Sequence, residues 1–338
     1  MQAFEHDEVR SFAEVRRKMR RGAVLIAGGT DLVSLMRDGL VTPRVVVDLK
    51  PIRGGAGIRA SRSGAALGAL ALVADVAADD GVKRWYPALA AACDAVGTTQ
   101  IRNMATLGGN LCQRIRCWYF RQNVRCHKTG GRGCPAVDGL NEYLAIFGDG
   151  ACHAPHPSDP AVALAALDAT IRVRPANPRL APGVRKPRSP SARRTDSGRK
   201  PGDPGSVSLT IFDLYRTAAQ RRDAETVLRP GDVIERITLP AAYAGARQVY
   251  RKATQRAEWD FALVSVAVVW PKTRGAVPRA VLGGVAPRPW EVQIGEWGKG
   301  NSWARRVAEA AVIGAKPMSE NGYKVELARN LLLEALGD

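Results

Sequence analysis

Short apolar runs separated by glycine turns and polar helical stretches set the pattern of this chain. A helix is predicted around Ser11–Arg20, followed by Ala23-Val24-Leu25-Ile26, an unbroken apolar run of the kind that forms a buried strand. The turn Ala27-Gly28-Gly29-Thr30-Asp31 comes next, then a helix from about Asp31 to Asp38 and a second strand, Val45–Leu49. Together they form a βαβ unit with the glycine turn at the carboxyl end of its first strand. Glycines let the backbone approach a ligand closely, and free N–H groups at a helix start face an anion, so such a turn can hold a phosphate. Thr30 and Asp31 are also suited to cap the helix. Glycine serves any tight turn, so the motif alone leaves a purely structural reading open.

A second segment runs from Ile58 through alternating Leu67, Ala69 and Leu72 to an alanine-rich helix near Tyr86–Val96, ending at Thr106-Leu107-Gly108-Gly109-Asn110. Two glycine turns could clamp the two sides of one pyrophosphate. A G-x-G-x-x-A match occurs at Gly55, Gly57 and Ala60, but Arg59, Ser61, Arg62 and Ser63 occupy positions where an amphipathic helix should begin. That segment reads as a hairpin or loop, not a dinucleotide fingerprint.

Cys117, Cys126, Cys134 and Cys152 lie in a glycine- and arginine-rich stretch directly after the second turn. No apolar run approaches the ~20 residues that span a bilayer, and Glu5, His6, Asp7 and Glu8 depart from the basic-then-apolar order of a secretory signal. The expectation is a cytoplasmic protein, where clustered thiols are ligands rather than disulfides. Soft thiolates suit an iron–sulfur cluster, with Arg116, Arg121, Arg125, Lys128 and Arg132 available to offset its charge. Zinc is the rival, although zinc knuckles show two close C-x₂₋₄-C pairs and Cys112 with Cys117 makes only one. Buried core thiols are a third reading, which Cys93 in the alanine-rich helix fits best. His127, His153 and His156 flank the region as hydrogen-bonded or exposed residues, or as a replacement ligand.

With 338 residues, 46% of them hydrophobic, the chain can bury cores for two or three domains. Its net charge of +18 is uneven: between 172 and 200, ten Lys and Arg residues face only Asp196, so this stretch carries +9, half of the excess. Residues 175–206, rich in Pro, Arg, Ser and Gly, have the composition of a disordered linker. With 6% aromatics and no interleaved basic-aromatic platform, the chain is not expected to bind nucleic acid.

Five segments in order carry a family resemblance: AGGTDLV at 27–33, IRNMATLGGN at 101–110, PSD at 157–159, YRKATQRAEWDFALVS at 250–265 and VLGGVAPRPW at 281–290. Together they resemble the FAD-binding subunit of the molybdenum hydroxylases, the xanthine dehydrogenase and aldehyde oxidase family. The resemblance spans nearly the whole chain except residues 175–206, where the family has a short turn before the strand Val207–Phe212. It implies an α+β, PCMH-type FAD-binding fold. Subdomain 1 would cover residues 1–55, and subdomain 2 residues 56–220, including the insert at 112–152. A C-terminal domain with a small antiparallel sheet and helices would cover 221–338.

Carried over by position, the resemblance implies that Ile26, Ala27, Gly28, Gly29, Thr30, Asp31, Leu32 and Val33 wrap the FAD pyrophosphate, while Ala105, Thr106, Gly109 and Asn110 close on the flavin side. Ser158 and Asp159 match positions that hydrogen-bond the cofactor, Ile234 an apolar contact in the C-terminal domain, and Lys252 a lysine near the isoalloxazine. Apart from the resemblance, Lys252 reads as a solvated surface charge. Cys112 would pack beside the flavin. The cysteine-rich insert resembles a subset of the family with a [4Fe–4S] cluster, here on Cys117, Cys126, Cys134 and Cys152. The implied partners are a molybdenum-cofactor large subunit that oxidises an aldehyde or N-heterocycle and a small subunit with two [2Fe–2S] clusters, this chain taking the electrons on FAD and passing them to an external acceptor. A self-contained flavin oxidase, or a metal-stabilised binding protein without catalysis, are the alternatives from other classes.

Overall fold

The computed structural model describes residues 1–148, 150–177, 205–273, 275–295, 298 and 300–337. The basic stretch therefore lies mostly outside the described residues. Among those residues the strands form three sheets, and no helix is long and apolar enough to cross a membrane.

The first sheet contains β1 (Glu5–Glu8), β2 (Ala23–Ile26) and β3 (Val45–Asp48), with α1 (Phe12–Lys18) and α2 (Leu32–Arg37) in the connections. Its order is β1-β3-β2 and all pairs are parallel, so every residue of the central β3 is buried. The βαβ unit expected from the sequence is present, and the register Ile26↔Asp48 places the glycine turn at the carboxyl edge of the sheet. β1 was not foreseen: its residues are polar and it pairs only at the edge.

The second sheet combines the hairpin β4 (Ile58–Ser61) and β5 (Gly64–Gly68) with β6 (Thr170–Arg174), β7 (Val207–Thr210) and β8 (Val233–Leu239), in the order β4-β5-β8-β6-β7. The Gly55–Ala60 segment thus leads into a hairpin, as expected. Helices α3 (Val73–Ala78), α4 (Asp80–Trp85), α5 (Pro87–Asp94), α6 (Thr99–Arg102) and α7 (Leu107–Leu111) follow β5. The insert contributes α8 (Trp118–Arg121), and α9 (Asp159–Ala166), every residue of which is buried, precedes β6. Leu67, Leu89, Leu164, Ile171 and Ile237 share the main core. The strand expected at Val207–Phe212 stops at Thr210, whose hydroxyl accepts the Asp213 N–H at 3.0 Å and starts α10 (Ile211–Tyr215). Because β8 lies inside this sheet, the second unit extends beyond residue 220, to Leu239.

The third sheet is antiparallel: β9 (Arg247–Ala253), β10 (Val264–Trp270), β11 (Arg279–Gly283) and β12 (Trp290–Val292), backed by α11 (Asn301–Ala311) and α12 (Tyr323–Gly337). The cysteine insert is stapled to the segment before α12. The Asn141 amide donates to Ala136 O and to Ser319 Oγ, and its oxygen accepts the Glu320 N–H at 2.9 Å. Asn321 donates to the carbonyls of Leu144 and Ala145, and the buried Lys324 to those of Tyr143 and Gly284.

Candidate FAD cleft and cysteine insert

A cleft of about 750 Å³ runs between the two glycine turns. It is lined by Ile26, Ala27, Gly28, Gly29, Thr30, Asp31 and Leu32 on one side and by Ala105, Thr106, Gly109, Asn110 and Cys112 on the other. The turns touch: a Cβ on Gly28 would overlap the Met104 carbonyl oxygen, and Gly29 sits at φ +72, a conformation glycine tolerates best. Their hydrogen bonding differs. Among the described residues, the N–H groups of Gly28, Gly29, Thr30 and Asp31 have no backbone acceptor. In the second turn, Leu107 and Gly108 donate to Ala71 O and Ala69 O, Gly109 donates to the Thr106 hydroxyl at 3.1 Å, and Asn110 to Thr106 O. The first turn thus keeps these N–H groups free of backbone acceptors among the described residues, whereas those of the second turn are engaged in its own cap and with the carbonyls of Ala69 and Ala71.

Neither Thr30 nor Asp31 caps α2 with its side chain. The Asp31 carboxylate turns to the insert instead, accepting from Arg114 N–H at 2.7 Å and Arg121 Nη2 at 2.7 Å and pairing with Arg116 Nη2 at 3.1 Å. Arg116, in the cleft wall, packs over the Phe261 ring at 4.8 Å. Burial lowers its guanidinium to about 10 against the pull of Asp31.

Asp159 also lines the cleft, but its carboxylate is engaged: Tyr250 Oη donates to it at 2.7 Å and Lys252 Nζ at 2.9 Å. Burial outweighs the lysine and holds this carboxyl above the usual carboxylate range. Lys252 is half-buried, its side chain only 9% exposed rather than solvated, and it also donates to Ala95 O and Asp260 O. It reaches the cleft through Asp159. Ser158 caps α9, accepting from Ala161 N–H at 3.1 Å, and its hydroxyl lies 2.5 Å from Asn110 Oδ1. Ile234 is a core residue of β8 in the second sheet, not the C-terminal one, and lines neither this cleft nor the cavity that adjoins it. Val33 is exposed at the back of α2 and likewise outside the cleft lining.

A second cavity of about 710 Å³ adjoins the first across Arg116, Asp159 and Phe261, and its wall includes Cys117, Trp118, Tyr143 and Ser158. Sequence reasoning did not single out Trp259, Asp260 and Phe261, which cover the cleft. The signal was present as W-D-F within a polar run, and Trp259 holds φ +54 while Arg256 lies over its ring at 5.6 Å.

The structure brings Cys117 within electrostatic reach of Cys126, Cys134 and Cys152, and Cys152 within reach of Cys134. Burial raises the Cys117 thiol, with Cys134 and Cys126 adding to it, and pushes Cys152 up to about 11 against the lowering effect of Lys128. Among the described residues no three His, Cys, Asp or Glu side chains converge as a site for a metal ion. Of the five cations expected to serve a cluster, Arg116 and Arg121 serve Asp31. Lys128 is buried against the carbonyls of Ala218, Arg221 and Ala224 and pairs with Glu225 at 3.4 Å. Glu225 also meets Arg114 at 2.6 Å, anchoring the insert from below. Cys93 is a fully buried core thiol. Cys112 opens onto the cleft while protein encloses the rest of it, which pushes its thiol up to about 12. His127 bonds to Gln220 O at 3.0 Å, and burial lowers His156 to about 3 beside Tyr215.

A parallel βαβ unit whose glycine turn opens donors onto a second turn's wall defines a dinucleotide-binding protein. Comparison with known proteins is specific. Residues 1–180 match the family described as FAD binding domain in molybdopterin dehydrogenase. The aldehyde oxidoreductase FAD-binding subunit PaoB of Escherichia coli (strain K12) is 35% identical over 348 aligned residues, covering 100% of this chain and 98% of that protein. The glyceraldehyde dehydrogenase medium chain of Sulfolobus acidocaldarius is 22% identical over 78% of this chain and 69% of its own length. The fold is shared with a chain of quinoline 2-oxidoreductase from Pseudomonas putida 86, with TM-score 0.69 and 20% identity over 99% of this chain and 96% of that one. The chain belongs to the molybdopterin dehydrogenase FAD-binding family and is the FAD-binding subunit of a xanthine dehydrogenase and aldehyde oxidoreductase type enzyme.

Proposed function

We propose that FAD lies in the 750 Å³ cleft with its pyrophosphate on the first glycine turn, and that Cys117, Cys126, Cys134 and Cys152 hold a [4Fe–4S] cluster beside it. The observation that carries the FAD placement is the row of backbone N–H groups from Gly28 to Asp31, without backbone acceptors among the described residues, on residues that line the cleft. Arg116 and Arg121 neutralise Asp31, so its carboxylate does not repel the anion. Asp159 stays fixed by Tyr250 and Lys252 at the junction of the two cavities, and Trp259 with Phe261 forms part of the cleft wall. When bound, FAD supplies exchange between one-electron and two-electron transfer.

The cluster reading rests on the donor set: Cys117 lies within electrostatic reach of Cys126, Cys134 and Cys152, and four soft thiols suit iron. As a subunit, the chain works with a molybdenum-cofactor large subunit and a [2Fe–2S] small subunit on an aldehyde. The full-length likeness to PaoB, an aldehyde oxidoreductase subunit by name, supports that substrate class. FAD titration of the iron-free chain, followed by flavin fluorescence, tests the cleft: saturable binding is expected, and acid should release the flavin. Binding unaffected by Gly29→Val would contradict the placement.

A further inference from the structure

We propose that Asp31 is a positioning residue that makes FAD binding and the setting of the Cys117 arm interdependent, an inference that rests on the placement of FAD in the cleft. Asp31 ends the glycine turn, yet its carboxylate reaches residues 83 and 90 positions away in the chain. The peptide it holds is closed on itself, because Arg121 also donates from Nε to Ile115 O at 2.9 Å and from Nη2 to Arg114 O at 3.3 Å. Cys117 lies inside that loop, at the N-cap of α8, whose last residue is Arg121. A shift of Arg121 relative to Asp31 therefore moves the Cys117 thiol.

The charges supply the coupling. Two guanidinium groups face one carboxylate, leaving one positive charge in excess beside the turn where a diphosphate would lie. Arg116 lines the cleft itself, and its Nε is buried without a hydrogen-bond partner among the described residues. An anion arriving on the turn attracts both arginines in a partly desolvated setting, so the arm is held more tightly with FAD bound than without it. A ligand shifts a conformational equilibrium only through such a difference in interaction, and the effect is reciprocal. Fixing the arm at Cys117, by metal or by other means, raises FAD affinity by the factor by which FAD fixes the arm.

The test uses the full iron-free chain, with FAD and iodoacetamide as probes. Alkylation of Cys117 is followed by mass spectrometry at zero and saturating FAD, in the wild type and in Asp31→Asn. Asparagine keeps the shape and the Arg114 hydrogen bond while removing the charge. Saturating FAD is expected to slow Cys117 alkylation about five-fold in the wild type, the low end of allosteric coupling, and to leave it nearly unchanged in Asp31→Asn. Asp31→Asn with Arg121→Gln should weaken FAD binding no further than Arg121→Gln alone. Equal protection in the wild type and Asp31→Asn overturns the proposal, because direct shielding by the flavin needs no Asp31. Should Asp31→Asn fail to fold, Arg121→Gln carries the same comparison. FAD that binds the wild type without protecting Cys117 defeats the coupling alone. FAD that does not bind defeats the cleft placement and the coupling with it.

Discussion

Gly28 carries two constraints at once, since it lines the cleft and a Cβ on it would collide with the second turn at Met104. Gly28→Val must push the turns apart before it meets any ligand, so it should cost about 1–3 kcal/mol as an overpacked contact. Flavin content and thermal melting should fall together. His156 makes a second residue-scale prediction. Burial holds it at about 3 in the folded chain, against an ordinary 6.5, so the unfolded chain takes up a proton first as pH falls. Its share of stability is full above pH 6.5 and is lost between pH 6.5 and 3, at up to about 1.4 kcal/mol per pH unit. Asp159, held above the usual range by burial, moves stability the opposite way. The melting curve of His156→Gln against the wild type from pH 7 to 4 therefore isolates the imidazole, and the variant should lose less stability on the acid side.

At the scale of elements, the insert is held as much by the C-terminal domain as by its own turns. Asn141 satisfies partners on both sides of that joint. Asn141→Ala leaves them unpaired in a buried setting and should cost about 2 kcal/mol. Faster proteolysis of the insert at unchanged FAD affinity is the expected signature. These joints were not legible in the sequence. The βαβ unit was, to within a residue or two at each end, because strand, turn and helix are contiguous and each has its own local pattern. β1 escaped because four polar edge residues carry no alternation, and β8 because a strand placed between β5 and β6 announces its partners only in space. Asp31 looked like a cap because Asp before a helix usually is one. The arginines that claim it lie too far along the chain for any local rule. The four cysteines stood out by type and grouping, but which cations faced them depended on Asp31 and Glu225, which the spacing does not reveal.

Across the whole molecule, the basic stretch joins β6 to β7, which pair directly with Val173 opposite Val207. Their ends are already adjacent, so replacing residues 178–204 by a short turn closes a hairpin without disturbing a sheet. Loop-closure entropy then favours the shortened chain by about 1 kcal/mol. It should melt no lower than the wild type and keep its flavin, which thermal melting and flavin absorbance check, while its non-specific retention on polyanions falls.

The central claim is that one chain carries both FAD on its first glycine turn and iron on its cysteine insert. Quantifying flavin and iron in anaerobically purified chain, alongside its absorption spectrum, tests this most directly. The account predicts one acid-releasable FAD and about four irons per chain, the content of one cubane cluster, with the iron lost in Cys126→Ser and retained in Cys93→Ser. A folded chain without flavin, or with zinc in place of iron, would contradict it.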